Sequence, residues 1–220
     1  MAALKLDHPA GQLSMPVHDA IEGASGIDIS KLLSQTGYVT YDPGLMNTAP
    51  CSSAITFIDG DAGVLRYRGY SIDVLAEKSS FLEVSYLLIY GELPTPDQLS
   101  AFREQVNTHT LLPEDMRRFF DSFRYDAHPM PVLAAAVNAL STFYQDSLDP
   151  FDPEQVEIST IRLLAKVPTI AAYAYKKSIG QPFMYPENSL GYVENFLRMT
   201  FGVPTRPYEV DPVAARVLDM

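Results

Sequence analysis

Arg162 and Lys166 stand four residues apart in a helix-forming stretch, so the two cations share one face. Like charges at that spacing repel, and an anion held beside them offsets the cost. Tyr144, at the end of the preceding apolar run, adds an aromatic ring and a hydroxyl. Together the three make a corner suited to a phosphate or a nucleotide. The same pattern also fits a solvated helix face with Glu157 nearby, and the pattern alone favours that face. The four histidines, His8, His18, His109 and His128, fall at no metal-ligand spacing with Cys, Asp or Glu, so no metal is expected. His128-Pro129-Met130 puts an imidazole just before a helix start, where it either meets an anion or sets the entry to that helix. No Ser lies in a Gly-x-Ser-x-Gly elbow. Asp59-Gly60-Asp61-Ala62-Gly63 leads into a second strand rather than a helix, and its two carboxylates repel phosphate. The residues alone assemble no catalytic constellation and no cofactor motif.

The elements that must position these residues follow two regimes. Up to about Tyr70 the chain is rich in Gly, Pro, Thr and short alternating runs. Ile55 and Phe57, then Leu65 and Tyr67, alternate with their neighbours around a Gly-rich turn and predict a β-hairpin. Gly37–Tyr41 predicts another short strand, ended by Asp42-Pro43-Gly44. Beyond Ile72 the sequence reads as helices. Ser80–Glu83 has the form of a capping box, opening a helix with Phe81, Val84 and Leu88 on its apolar face and Gly91 at its end. Thr95-Pro96-Asp97-Gln98 repeats that logic ahead of a stripe of Leu99, Phe102 and Val106. A short helix from Pro113 is expected to bury Met116, Phe119, Phe120 and Phe123.

Pro131 to Tyr144 is apolar nearly all round, which places it in a protein centre or at a subunit interface, the interface being favoured. Asp152-Pro153 opens a long helix in which Pro168 predicts a bend. Lys176 and Lys177 close it, as cations at the negative end of the helix dipole. A further helix is expected from Ser189 to Phe201, stopped by Gly202. Asp211-Pro212 starts the last, with Val213, Ala214, Val217 and Leu218 as its buried face. That pattern reaches Met220 without a stop signal, which reads as a cut inside a longer polypeptide.

Of the 220 residues, 47% are hydrophobic and 20% charged, the balance of a globular chain. A formal net charge of −11 argues against nonspecific binding to nucleic acid or to an anionic membrane. The single cysteine, Cys51, has no partner for an internal disulfide. With no signal-peptide pattern at the N-terminus and no apolar run of the ~18 residues needed to span a bilayer, the expected compartment is the cytoplasm.

From about Gly37 onward the chain resembles the citrate synthases, in their long bacterial form. The resemblance is carried by Asp42-Pro43-Gly44, Ile55–Asp61 with Arg66–Tyr70, His128-Pro129-Met130, Tyr144 with Asp146-Ser147-Leu148, and Arg162-Leu163-Leu164. Ser178–Phe183 and Pro207-Tyr208-Glu209 complete it. It implies a mainly α, multi-helix citrate-synthase-like fold preceded by a small N-terminal β region, here truncated. Residues 1–70 would be the β-rich region and 71–220 the N-terminal part of the helical large domain. It implies a homo-oligomer, dimer or hexamer, joined through apolar helices.

The family reaction joins acetyl-CoA, a substrate rather than a cofactor, to oxaloacetate and hydrolyses the thioester, as in the tricarboxylic acid cycle. The family's catalytic histidines and aspartate match no position before Met220, so the isolated chain is expected to be inactive. Alternatives are a portion of a 2-methylcitrate synthase and a non-catalytic nucleotide-sensing or assembly module. Positions matching the family's allosteric nucleotide site are His109, Thr110, Tyr144, Arg162 and Lys166. Thr108 and Thr205 depart from it, standing where NADH-inhibited members carry Arg and Cys, and a hydroxyl cannot replace the bidentate contacts of a guanidinium.

Overall fold

The computed structural model describes residues 2–220. Two compact units divide the chain, one ending at Ser71 and the other spanning Ile72–Met220.

In the first unit, β1 (Ala3–His8) and β2 (Gly11–His18) form an antiparallel hairpin extended by β3 (Gly26–Ile27). Its register pairs Leu6 with Leu13 and Leu4 with Met15, which sets their side chains on one face. Leu13, Met15 and Leu32 are buried together, with Leu6 against them. Leu32 belongs to α1 (Leu32–Thr36). This hairpin is not among the elements expected from the sequence, although its alternation has the period of a strand. The predicted strand at Gly37–Tyr41 does not form. Gly37 takes φ 76° to close α1, and Tyr38, Val39 and Tyr41 run on exposed with no strand to pair with.

The predicted Ile55–Tyr67 hairpin is present as β4 (Thr56–Asp59) and β5 (Val64–Tyr67), with Asp59 opposite Val64. Asp59 Oδ1 accepts the Ala62 N–H at 2.9 Å, fixing the turn. A third strand, β6 (Tyr70–Ser71), follows a two-residue turn in which Arg68 and Gly69 both have positive φ, 49° and 90°. That is the hairpin geometry whose twist suits the flanking strands.

The second unit is helical: α2 (Ile72–Lys78), α3 (Phe81–Tyr90), α4 (Pro96–Thr108), α5 (Asp115–Asp121), α6 (Pro129–Leu140), α7 (Pro153–Ser178), α8 (Tyr192–Phe201) and α9 (Pro212–Asp219). The caps lie where local sequence puts them. Ser80 with Glu83, and Thr95 with Gln98, form both bonds of a capping box, while Asp152 and Asp211 accept the first free N–H groups of α7 and α9.

The faces differ more. In α3 the buried side chains are Leu82 and Leu87, whereas Phe81 is outward and stacks on Tyr192. Only one stripe of α6 is covered, Val132, Ala136 and Leu140, while Ala134 and Asn138 are exposed, so within one chain it is not a central helix. The α8 helix begins at Tyr192 rather than Ser189, because Glu194 reaches back to accept the Gly191 N–H at 2.8 Å. On α9, Val213, Val217 and Leu218, expected to be buried, are exposed; the helix instead rests beside α8 on its Ala214–Ala215 side.

The spine of the unit is α7, which packs against α4, α5, α6 and α8. It runs unbroken through Pro168. Proline has no N–H to give the carbonyl four residues back, Leu164 O, and the Tyr192 hydroxyl of α8 donates to that oxygen at 2.8 Å. Burial holds the Tyr192 phenol above the usual tyrosine range, as suits a fixed donor. Lys176, expected at a solvated helix end, is fully buried instead. Its ammonium donates to Gly202 O at 2.6 Å and Gln181 Oε1 at 2.7 Å, so it bridges the C-terminal ends of α7 and α8.

Candidate functional site

At the centre of the corner is the last turn of α4 and the extended residues behind it. His109, Thr110 and Leu111 lie along α7, and each of their three carbonyls is taken by an α7 side chain. Lys166 Nζ donates to His109 O at 2.5 Å and to Leu111 O at 2.6 Å, and Thr169 Oγ1 donates to Thr110 O at 2.9 Å. Lys166 is 3% exposed. Its ammonium has lost water and gained two carbonyls but no carboxylate. Burial, with the Arg162 charge adding to it, lowers its pKa to about 8.

The Tyr144 ring, on the turn after α6, faces both cations. Arg162 Cζ is 4.4 Å from its centroid and Lys166 Nζ 5.4 Å. Both distances are within cation–π range. Burial raises the Tyr144 pKa, with the Arg162 charge opposing it. The Arg162 side chain is 17% exposed. It grips Asp146 with both terminal nitrogens, Nη1 to Oδ1 at 3.0 Å and Nη2 to Oδ2 at 3.2 Å, and Nη1 also donates to Ser147 Oγ at 2.8 Å. These bonds hold the Asp146 carboxyl below the usual carboxylate range. Arg162 and Lys166 therefore do not form a solvated face, and Glu157 is elsewhere, accepting from the Tyr90 hydroxyl at 3.0 Å.

Of the five positions named in advance, Tyr144, Arg162 and Lys166 are brought together. His109 and Thr110 reach the corner through their main chain. Their side chains turn back to α4, with His109 Nδ1–H donating to Gln105 O at 2.7 Å and Thr110 Oγ1 to Asn107 O at 3.1 Å. Thr108 likewise spends its hydroxyl on Glu104 O and Gln105 O, at 2.9 and 3.0 Å. Asp146, Ser147 and Thr169 were not assigned a role from sequence. Asp146 lies in the motif Asp146-Ser147-Leu148, but no periodic signal links it across the chain to Arg162.

His128 caps α6, its Nδ1 accepting the Met130 N–H at 3.2 Å. An open cleft of about 570 Å³ elsewhere in the unit is lined by Arg117, Arg124 and Lys177. Each of those cations meets an acid of its own, Glu114, Asp126 and Asp121 respectively, so the charges balance there. The corner differs, with two cations to one carboxylate. Among the described residues no three His, Cys, Asp or Glu side chains are grouped to hold a metal, and no helix is long and apolar enough to cross a membrane.

A family model described as "Citrate synthase, C-terminal domain" matches residues 44–220. The chain belongs to the citrate synthase family. Citrate synthase 1 of Mycobacterium tuberculosis is 63% identical over 215 residues, which cover 98% of this chain and 50% of that protein. The citrate synthase of Corynebacterium glutamicum is 55% identical over 214 residues, covering 97% and 49%. Among solved structures, citrate synthase from Pyrobaculum aerophilum superposes with a TM-score of 0.71 at 31% identity, covering 98% of this chain and 47% of that one. The chain thus spans about half the length of the curated citrate synthases it matches. The mainly helical body with small N-terminal sheets is the architecture the resemblance implied.

Proposed function

We propose that these 220 residues are the front portion of a citrate synthase subunit, a β-rich region over 1–70 followed by the first helices of the large domain over 71–220. In the whole enzyme the methyl carbon of acetyl-CoA bonds to the oxaloacetate carbonyl carbon, and water then cleaves the thioester to give citrate and CoA. The observation carrying this reading is 63% identity over 98% of the chain to a protein named citrate synthase. The alternative acyl substrate is propionyl-CoA, in a 2-methylcitrate synthase; the relatives named above carry the name citrate synthase, which favours acetyl-CoA. The compartment that fits is the cytoplasm, and the assembly that fits is a homo-oligomer meeting on the uncovered side of α6.

The chain by itself is inactive in this reading, because the family's catalytic histidines and aspartate match no position among its residues. Acetyl-CoA and oxaloacetate incubated with the purified chain and a thiol reagent release no CoA above the uncatalysed rate. Turnover by these residues alone overturns the inactivity.

A second function is favoured by one observation: Tyr144 faces both Arg162 and Lys166, two cations that share a single carboxylate, Asp146. We infer an allosteric nucleotide corner in which the ring takes the base or ribose edge and Arg162 takes phosphate. Calorimetric titration with NADH and with AMP gives a binding heat that Arg162→Gln removes. No heat from either nucleotide at millimolar concentration rejects the nucleotide reading.

A further inference from the structure

Arg162 and Asp146 are unequally held. The guanidinium rises from the middle of the 26-residue helix α7, stacks on Tyr144 and is mostly buried. The carboxylate sits on the connection between α6 and α7, and its side chain is 68% exposed. The backbone of that connection is tied at Ser147 and Asp149. Ser147 is buried, donates from its N–H to Tyr144 O at 3.3 Å and accepts at its O from Ser159 Oγ at 3.0 Å. The Asp149 N–H donates to Gln155 Oε1 at 3.0 Å. The Asp146 carboxylate between them is the exposed part. Lys166, on the same face, has no carboxylate partner; its ammonium donates to two carbonyls. The corner therefore carries one positive charge in excess, and its only anion is the least buried member. The Asp146 oxygens occupy the fork of Arg162, which is the position that two oxygens of a phosphoryl group take in a bidentate pair.

We propose that Asp146 is a displaceable internal counter-anion: it closes the corner by filling the Arg162 fork, and a phosphoryl oxyanion opens it by taking its place. The proposal deepens the nucleotide reading and rests on it for the identity of the natural ligand. Its own content is a competition between two anions for one guanidinium. A dianion wins over a carboxylate because it also satisfies the excess charge of Lys166. Displacement frees Asp146 and loosens residues 145–149, the middle of the connection from α6 to α7. Binding at Arg162 is in this way felt at the end of α6, the helix with an uncovered side.

The test uses inorganic pyrophosphate as the probe, at constant ionic strength, on the 220-residue chain and on Asp146→Asn. The amide keeps the side chain's shape and removes its charge. Pyrophosphate binds Asp146→Asn about fivefold more tightly than the wild-type chain, the upper end for a partly exposed ion pair. Amide hydrogen exchange supplies a second readout. In the wild-type chain pyrophosphate speeds exchange across 145–149, and in Asp146→Asn that segment exchanges quickly before any is added. Equal affinities, or exchange that pyrophosphate slows in both, overturn the counter-anion. Pyrophosphate binding that follows the expected pattern while NADH and AMP give no heat leaves the counter-anion standing and removes the nucleotide reading. NADH or AMP binding that Asp146→Asn leaves unchanged does the reverse.

Discussion

Phe120→Ala lowers the unfolding free energy of the helical unit by about 4 kcal/mol, within the range for a buried aromatic replaced by alanine. Phe120 is fully buried in the main core, with Leu112, Met116, Val132, Ala136, Leu140, Ile170, Tyr173 and Ala174. Its ring makes edge contacts with Phe119 at 6.2 Å, Tyr173 at 5.8 Å and Phe183 at 5.8 Å between centroids. Tyr173 and Phe183 stack on each other at 4.4 Å. Removing the Phe120 ring opens a cavity under that pair, which cannot collapse while α5, α6 and α7 are held by the rest of the core. Urea unfolding followed by helical circular dichroism measures the loss. Phe151, 92% exposed, is the control, and Phe151→Ala shifts stability within about 0.5 kcal/mol. A loss under about 1.5 kcal/mol for Phe120→Ala would mean the ring is not a keystone of this core.

Lys166 produces the second large effect, and it appears as a pH dependence. Its pKa is about 8 in the folded chain against 10.5 for an ordinary lysine. Between those values the unfolded chain holds a proton that the folded chain has released, so stability rises with pH. The contribution is fully present above 10.5 and is lost as pH falls through 8. A neutral amine still has two N–H donors for His109 O and Leu111 O, which is why deprotonation does not break the contact. From pH 7.5 to 10 the gain is about 2 kcal/mol. Above pH 10 the opposite slope takes over, because burial pushes Tyr90 and Tyr173 up to about 12 and the unfolded chain then loses its phenolic protons first. Urea midpoints at pH 7.5 and pH 10 for the wild-type chain and Lys166→Met isolate the lysine. The rise is smaller in the variant, where the buried Lys176, its pKa lowered by the same loss of water, still contributes, and parallel profiles reject the assignment.

The corner shows how far residue type carries a site. Tyr144, Arg162 and Lys166 were legible as a group because a helix puts positions four apart on one face and an aromatic ring is a partner for cations. Asp146 was not legible in that role. It lies 16 residues before Arg162 in the chain, across a turn whose path no periodicity describes. The same limit applies to Lys176, read as a dipole-facing cation at a helix end and found as a buried bridge to Gly202 O. The proximity of its helix end to that of α8 is set by the chain between them. The family resemblance placed His109 and Thr110 at the site, and the geometry gives them a main-chain role there.

Local chemistry determined the helix starts, since the caps at Ser80, Thr95, Asp152 and Asp211 use donors and acceptors two or three residues apart. The β4–β5 hairpin was set the same way, by strand alternation around a glycine-rich turn. Apolar stripes determined that the helices have buried sides, but only tertiary packing decided which side. Phe81 turned outward because Tyr192 of α8 was there to stack on it. The Leu164 carbonyl orphaned by Pro168 found its donor in Tyr192, a residue brought close only when α8 folds against α7. Such pairings depend on where the chain returns in space. That path is the outcome of packing the whole unit, and no stretch of sequence contains it.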